Sequence, residues 1–144
     1  MNCFADSSFL LSVAGTDVNT RKASAWLATY NRAVVITALV QFECVNRIRK
    51  LCHAGTLSEE EFQVALLRLD ALISRRFVVM KEVSLRSLSA EARRLIDHFS
   101  PEIPHGTMDV LHIAAARALR CDTLITFDRN QRSLAGLAML KTIP

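Results

Sequence analysis

The feature that most constrains this chain is the character of its short apolar runs. Asn2 to Ala5, Val34-Val35-Ile36, Phe77-Val78-Val79 and Thr123 to Phe127 stay apolar along nearly their whole length instead of alternating with polar residues. A strand with one wet face alternates, whereas a strand apolar throughout is covered on both faces, as in parallel sheets enclosed by helices. The segments between the runs carry helical spacing. Within Asn19 to Tyr30, Ala23, Trp26, Leu27 and Tyr30 recur at three and four, and Ser8 to Val13 reads as a helix start after the first strand. Thr37 is placed to cap a helix in which Leu39, Val40, Glu43, Cys44, Arg47, Ile48 and Leu51 follow the 3.6 period to a stop near Gly55. Ser58-x-x-Glu61 forms a capping box ahead of Phe62, Ala65, Leu66 and Leu69, predicting a helix to about Arg75.

The second half repeats the theme. A helix is predicted from about Leu85 to Phe99, ended by Pro101 and Pro104, with a loop over Pro101 to Gly106. Thr107 is expected to cap an alanine-rich helix from Met108 to Leu119, a short helix should run from Asp128 to about Leu134, and Met139 to Ile143 reads as a last strand. Strands separated by helices give an α/β fold, a three-layer α/β/α sandwich with a central parallel sheet of four to five strands. At 144 residues, 51% of them hydrophobic, the chain suits a single domain spanning 1–144 that buries about two-thirds of its unfolded surface.

Several function classes fall away. The longest apolar run, around Val34 to Val40, soon meets Gln41 and Glu43 and falls short of the roughly 18 residues that a membrane span needs. Met1 to Phe9 contains Asp6 and no basic leader, so it does not read as a signal peptide, and a soluble, cytoplasmic protein with no membrane association is expected. Cys3, Cys44, Cys52 and Cys121 lie far apart without a C-x-x-C pair and read as small buried apolar residues. A net charge of +4 and a pI near 9.2 mildly favour an anionic partner.

Four acids hold the chemistry. In open parallel sheets the working crevice lies beyond the carboxyl ends of the strands, where Asp6 and Asp128 each follow a strand. Asp109 opens the helix before the fourth strand, and Glu43 sits about two turns into the helix leaving the second. Convergence of the four would create repulsion that a divalent cation relieves. Magnesium or manganese takes hard oxygen ligands and is usually shared with substrate phosphate, which favours phosphodiester hydrolysis. There is no Ser-His-Asp order, G-x-S-x-G elbow or glycine-rich phosphate loop to support other chemistry. Each acid also has a bland reading: Asp6 and Asp128 as helix N-caps, Asp109 as a complement to a helix dipole, Glu43 as a solvent-facing helical residue. His112, three residues from Asp109, can seat a metal or be packed and hydrogen-bonded.

The stretches Ala5-Asp6-Ser7-Ser8-Phe9-Leu10-Leu11, Glu43 in its helix, Asp109-Val110-Leu111-His112-Ile113-Ala114-Ala115-Ala116 and Leu124-Ile125-Thr126-Phe127-Asp128 resemble the PIN-domain ribonucleases over nearly the whole chain. A stand-alone domain of this size is similar to VapC-type toxins of toxin-antitoxin pairs. The resemblance implies a Rossmann-like sheet, an endoribonuclease dependent on Mg2+ or Mn2+, a homodimer, and a cognate antitoxin protein that blocks the site. It also implies Asp6, Glu43, Asp109 and Asp128 as catalytic and metal-site acids, with Thr126 and Ser7 as hydroxyl groups orienting water or carboxylate. Arg47, Arg117 and Arg129 are candidates for contact with phosphates of an RNA substrate, against the reading of a solvated basic face. One departure follows Asp128, where relatives often carry an acid two residues on and then an aromatic, but this chain reads Arg129-Asn130-Gln131. Two alternatives stand beside the nuclease. One is a catalytically idle PIN-like RNA- or protein-binding domain. The other is a receiver-like phosphoacceptor, for which Asp6 lacks an acidic neighbour and Lys141 is poorly placed.

Overall fold

The computed structural model describes residues 1–15, 17–99 and 104–144. In chain order the elements are β1 (Cys3–Ala5), α1 (Ser7–Val13), α2 (Thr20–Thr29), β2 (Val34–Ile36), α3 (Ala38–His53), α4 (Glu59–Ser74), β3 (Val78–Met80), α5 (Leu85–His98), α6 (Thr107–Ala118), β4 (Thr123–Ile125), α7 (Arg129–Leu137) and β5 (Lys141–Ile143). The five strands pair in the order β3-β2-β1-β4-β5, every pairing parallel. This is the expected α/β/α architecture, with the β5 strand present at the far edge. Phe4 lies opposite both Val35 of β2 and Leu124 of β4, at the centre of the sheet.

The apolar strands are buried as their composition demands: Cys3, Phe4, Ala5, Val34, Leu124 and Ile125 are all enclosed, with Phe9, Ile48, Ile113 and Leu134 packed over them from the helices. The chain starts in the middle of the sheet, moves outward through β2 and β3, then returns past β1 to β4 and β5. The order reverses between β1 and β4, and at such a switch point the two outgoing connections diverge and leave a crevice beyond the carboxyl ends. Asp6 and Asp128 leave the sheet at that place.

The capping box of α4 is present in both directions, with Glu61 N–H donating to Ser58 Oγ at 3.1 Å and Ser58 N–H donating to Glu61 Oε2 at 2.8 Å. Two expected caps are corrected. Thr37 occupies the N-cap position of α3, but its side chain makes no capping bond and its Oγ1 is buried without a partner. Thr107 is the first residue of α6 and Gly106 its N-cap, because the Asp109 carboxylate turns back to accept the Gly106 N–H at 3.0 Å. Of the expected 101–106 loop, residues 101–103, including the terminator Pro101, lie outside the described residues. Helix α7 continues to Leu137, past the expected stop at Leu134. Cys3, Cys44 and Cys121 are buried, Cys52 is partly so, and all four thiols are free. Among the described residues no helix is long and apolar enough to cross a membrane.

Candidate active site

Asp6 ends β1 and becomes the N-cap of α1. Its Oδ1 accepts from the Phe9 N–H at 3.1 Å and from the Ser8 hydroxyl at 2.7 Å, and its Oδ2 accepts from the Thr126 hydroxyl at 2.5 Å. The residue is 2% exposed. Burial pushes its pKa up, and the Thr126 and Ser8 hydroxyls and the Phe9 amide hold that rise back. Both hydroxyls give their single proton to Asp6 and use their lone pairs on the other connection: Ser8 Oγ accepts the Phe127 N–H and Thr126 Oγ1 the Asp128 N–H, each at 2.9 Å. The turn after β1 and the turn after β4 are thereby stitched together across the switch point.

Asp128 is the N-cap of α7, with Oδ1 accepting the Gln131 N–H at 3.0 Å. The Gln131 side chain continues the chain of bonds, its Nε2 donating to Asp109 Oδ1 at 3.2 Å. Asp109 and Asp128 are half-buried, whereas Gln131 is enclosed. Glu43 reaches the same edge from α3. Its Oε2 meets His112 Nε2 at 2.7 Å, which places the imidazole proton on Nε2 as donor to the carboxylate. His112, 1% exposed, stands one turn beyond Asp109 on α6, so this helix links Glu43 to the other acids. The hydrogen bond from His112, together with the Ser7 hydroxyl and the nearby Arg47 guanidinium, holds the Glu43 carboxyl below its ordinary value against the upward push of burial.

The four acids therefore share one edge of the sheet and are connected through their donors. Asp6 and Asp128 do act as N-caps, and His112 is packed and hydrogen-bonded, so the bland readings are correct as far as they go. Among the described residues no three His, Cys, Asp or Glu side chains lie close enough to hold a metal ion as they stand. Among the described residues none of the four acids has a Lys or Arg within ion-pair distance, and the donors on them are amides, hydroxyls and an imidazole. An all-oxygen set of carboxylates, three of them half-buried and none neutralised by a fixed cation, fits a hard divalent ion in its chemistry.

The surrounding candidates separate. Ser7 is buried and faces Glu43 and Arg47, the Arg47 Nη1 lying 3.5 Å from its hydroxyl, so the hydroxyl partner of Asp6 is Ser8 and not Ser7. Thr126 is buried just after β4, between Asp6 and Asp128. Arg129 is exposed in the first turn of α7, directly after Asp128. Arg117 requires correction: it lies in the last turn of α6, at the other edge of the sheet, where it donates to Glu91 at 2.5 Å and to the Ala138 carbonyl at 2.7 Å. Its guanidinium is spent on holding α5 and α7 to α6. Arg132, in the same helix as Arg129, donates to the Thr126 and Pro144 carbonyls. Gln131 and Ser8 are the site residues that sequence reasoning missed. The signal for Gln131 was present, since Asp128-x-x-Gln131 is the spacing of a capping box.

The family model for the PIN domain matches residues 3–137. No curated protein matches the chain in sequence. Among solved structures, the chain is similar to VapC20 of Mycobacterium tuberculosis, described as a sarcin-ricin loop cleaving toxin, at TM-score 0.71 and 16% identity, covering 92% of this chain and 94% of that one. It is similar to VapBC2 of Rickettsia felis bound to a DNA fragment from their promoter, at TM-score 0.70 and 17% identity over 99% and 98%. FitAcB of Neisseria gonorrhoeae aligns at TM-score 0.71 and 16% identity over 99% and 96%.

Proposed function

Because the chain belongs to the PIN-domain family, we propose that it is a divalent-metal-dependent endoribonuclease, the toxin of a toxin-antitoxin pair acting in the cytoplasm. The observation that carries this reading is a set of four acids on the switch-point edge, none of which, among the described residues, is ion-paired with a Lys or Arg. Asp6, Glu43, Asp109 and Asp128 are the residues that would hold Mg2+ or Mn2+, whose chemistry is to activate water and neutralise charge on phosphoryl oxygens. The chain's own groups do the rest. Ser8 and Thr126 fix both oxygens of Asp6, and His112 fixes the orientation of Glu43, so these carboxylates would be aligned before a metal ion or substrate binds. Arg47 on α3 and Arg129 in the first turn of α7, both exposed, would supply cationic contacts to the RNA backbone.

The same reading assigns an antitoxin protein as partner, a role supported by the likeness to VapBC2 and FitAcB. A homodimer is part of the same proposal. The family places the chain outside the receiver-like alternative. A second reading, an idle binding domain, is favoured by the separation of the acids as they stand. Purified protein should cut RNA with Mg2+ or Mn2+, and Asp6→Asn or Asp109→Asn should abolish cutting while circular dichroism shows an intact fold. Equal cleavage by the variants overturns the reading. Calorimetric titration with Mn2+ separates it from the idle domain, which predicts no binding heat.

A further inference from the structure

The stretch where this chain departs from the pattern of its relatives, Arg129-Asn130-Gln131, contains a residue that donates to the carboxylates of two of the acids. Gln131 lies in the first turn of α7 and is 2% exposed. Its backbone N–H binds Asp128 Oδ1 at 3.0 Å and its side-chain amide binds Asp109 Oδ1 at 3.2 Å. We propose that Gln131 is a positioning residue that ties the Asp109 and Asp128 carboxylates to one helical turn and so sets the spacing at which they receive a divalent cation. The inference rests on the acid-site reading above.

Packing alone does not explain a glutamine here. Its Oε1 is buried without a hydrogen-bond partner, and sealing an amide oxygen in this way is a desolvation penalty that a methionine or leucine of similar size would avoid. Turning the amide over removes nothing, because Oε1 would then face Asp109 Oδ1, acceptor against acceptor. The orientation is therefore fixed by Asp109, and the orphaned oxygen is the consequence of supplying a donor to it. The donor is also neutral. A lysine or arginine in its place would cancel the charge on Asp109, whereas an amide orients the carboxylate and leaves its charge available.

The clamp has a second jaw. Asp109 Oδ2 is held by the Gly106 N–H at 3.0 Å, so both oxygens of this carboxylate are fixed. A Cβ at position 106 would stand 3.2 Å from Oδ2, a distance that a glycine alone leaves uncrowded. Asp109 is thus held by the turn before α6 on one side and by α7 on the other. Groups that orient metal-binding side chains in this manner typically change metal affinity or activity about 10–100-fold when removed.

The test uses the full chain. Mn2+ affinity by calorimetry and urea unfolding without metal are measured for wild type, Gln131→Met and the exposed neighbour Asn130→Ala. The inference expects Gln131→Met to unfold at the same or higher urea concentration yet to bind Mn2+ about 10–100-fold more weakly, with Asn130→Ala matching wild type. A Gln131→Met protein that binds Mn2+ as wild type does overturns it, as does weakened binding accompanied by an equal loss of stability. An independent measurement needs no variant: the side-chain amide signals of Gln131 in a nitrogen-15 spectrum should shift on titration with Mg2+, and no shift at saturation overturns the inference. If wild type binds neither metal, it is the acid-site reading itself that fails.

Discussion

The two edges of the sheet treat their acids in opposite ways. At the amino edge, Asp122 takes two hydrogen bonds from the Asn2 amide and lies 3.8 Å from the terminal ammonium, while Glu91 is paired with Arg117 at 2.5 Å and Arg94 at 3.2 Å. At the carboxyl edge, the hydrogen bonds that Asp6, Glu43, Asp109 and Asp128 receive from the described residues come from amides, hydroxyls and one imidazole. The first arrangement cancels charge and locks elements together. The second orients carboxylates and leaves their charge standing, at a place where two of them are attached to the same crevice. Like charges gathered in a partly buried site repel by on the order of a few kcal/mol at an effective dielectric near 20, a repulsion that a bound divalent cation would relieve. The three described buried side-chain atoms without a partner, Thr37 Oγ1, His112 Nδ1 and Gln131 Oε1, also belong to segments at the carboxyl edge. The amino edge is built for stability and the carboxyl edge gives some stability away, the pattern expected of a working site.

The contrast can be broken most directly by exchanging perturbations between the edges. Asp128→Asn should lower metal-dependent RNA cleavage by at least about 100-fold, beyond the usual cost of disturbing groups that merely orient a metal ligand, whereas Arg117→Ala should leave the rate within about twofold. An Arg117→Ala enzyme that loses cleavage while remaining folded would return this residue to the RNA-binding set. Stability should respond differently. Thr126→Val strands Asp6 Oδ2 and the Asp128 N–H and should cost roughly 1–3 kcal/mol by urea unfolding. Arg117→Ala removes a cation that is 34% exposed and should cost nearer to about 1 kcal/mol, since water screens the pair.

The smallest effects are in the pH dependence of stability, and they sharpen the comparison within the carboxyl edge itself. Asp6 has a folded pKa above its ordinary 3.8, so the charged form penalises the fold at neutral pH. As pH falls through the folded value towards 3.8, wild type should gain stability relative to Asp6→Asn. Glu43 is shifted below its ordinary 4.5, so it stabilises the fold above 4.5 and that contribution is lost as pH falls through the folded value. Wild type should therefore lose stability relative to Glu43→Gln over the same descent. Urea midpoints at neutral and acid pH measure both slopes, and slopes of the same sign would contradict the burial of Asp6 or the imidazole bond to Glu43.

Much of the fold was legible because its signals are local. The apolar runs became β1, β2, β3 and β4 within a residue or two, and Ser58-x-x-Glu61 produced the capping box that its spacing promises. The errors occur where several residues compete for one backbone group. Thr37 and Thr107 both have the right residue type for a cap, but Asp109 three residues after Gly106 secured that amide first, and Thr37 points its hydroxyl inward. The positions of the acids along the chain were plain, and each falls at the edge that strand order makes into a crevice. Their partners were less plain. Ser7 and Ser8 are equivalent as letters, yet the first turn of α1 sends Ser8 to Asp6 and Ser7 towards Arg47. Arg117 and Arg129 are both basic residues near an acid in sequence, yet α6 carries Arg117 away from Asp109 along its length to the opposite edge.

The amino-acid sequence by itself determined the alternation of strand and helix, the coverage of the sheet on both faces, and the placement of an acid at the end of β1 and beyond β4, because period and apolar content act between neighbours. Only the tertiary structure decided which side chains meet: Asp6 with Thr126 across 120 residues, Glu43 with His112 across 69, and Gln131 with Asp109 across 22. Such contacts are fixed by how helices pack on the returning sheet and by competition for a limited number of donors, and neither is written in the spacing of residues along the chain.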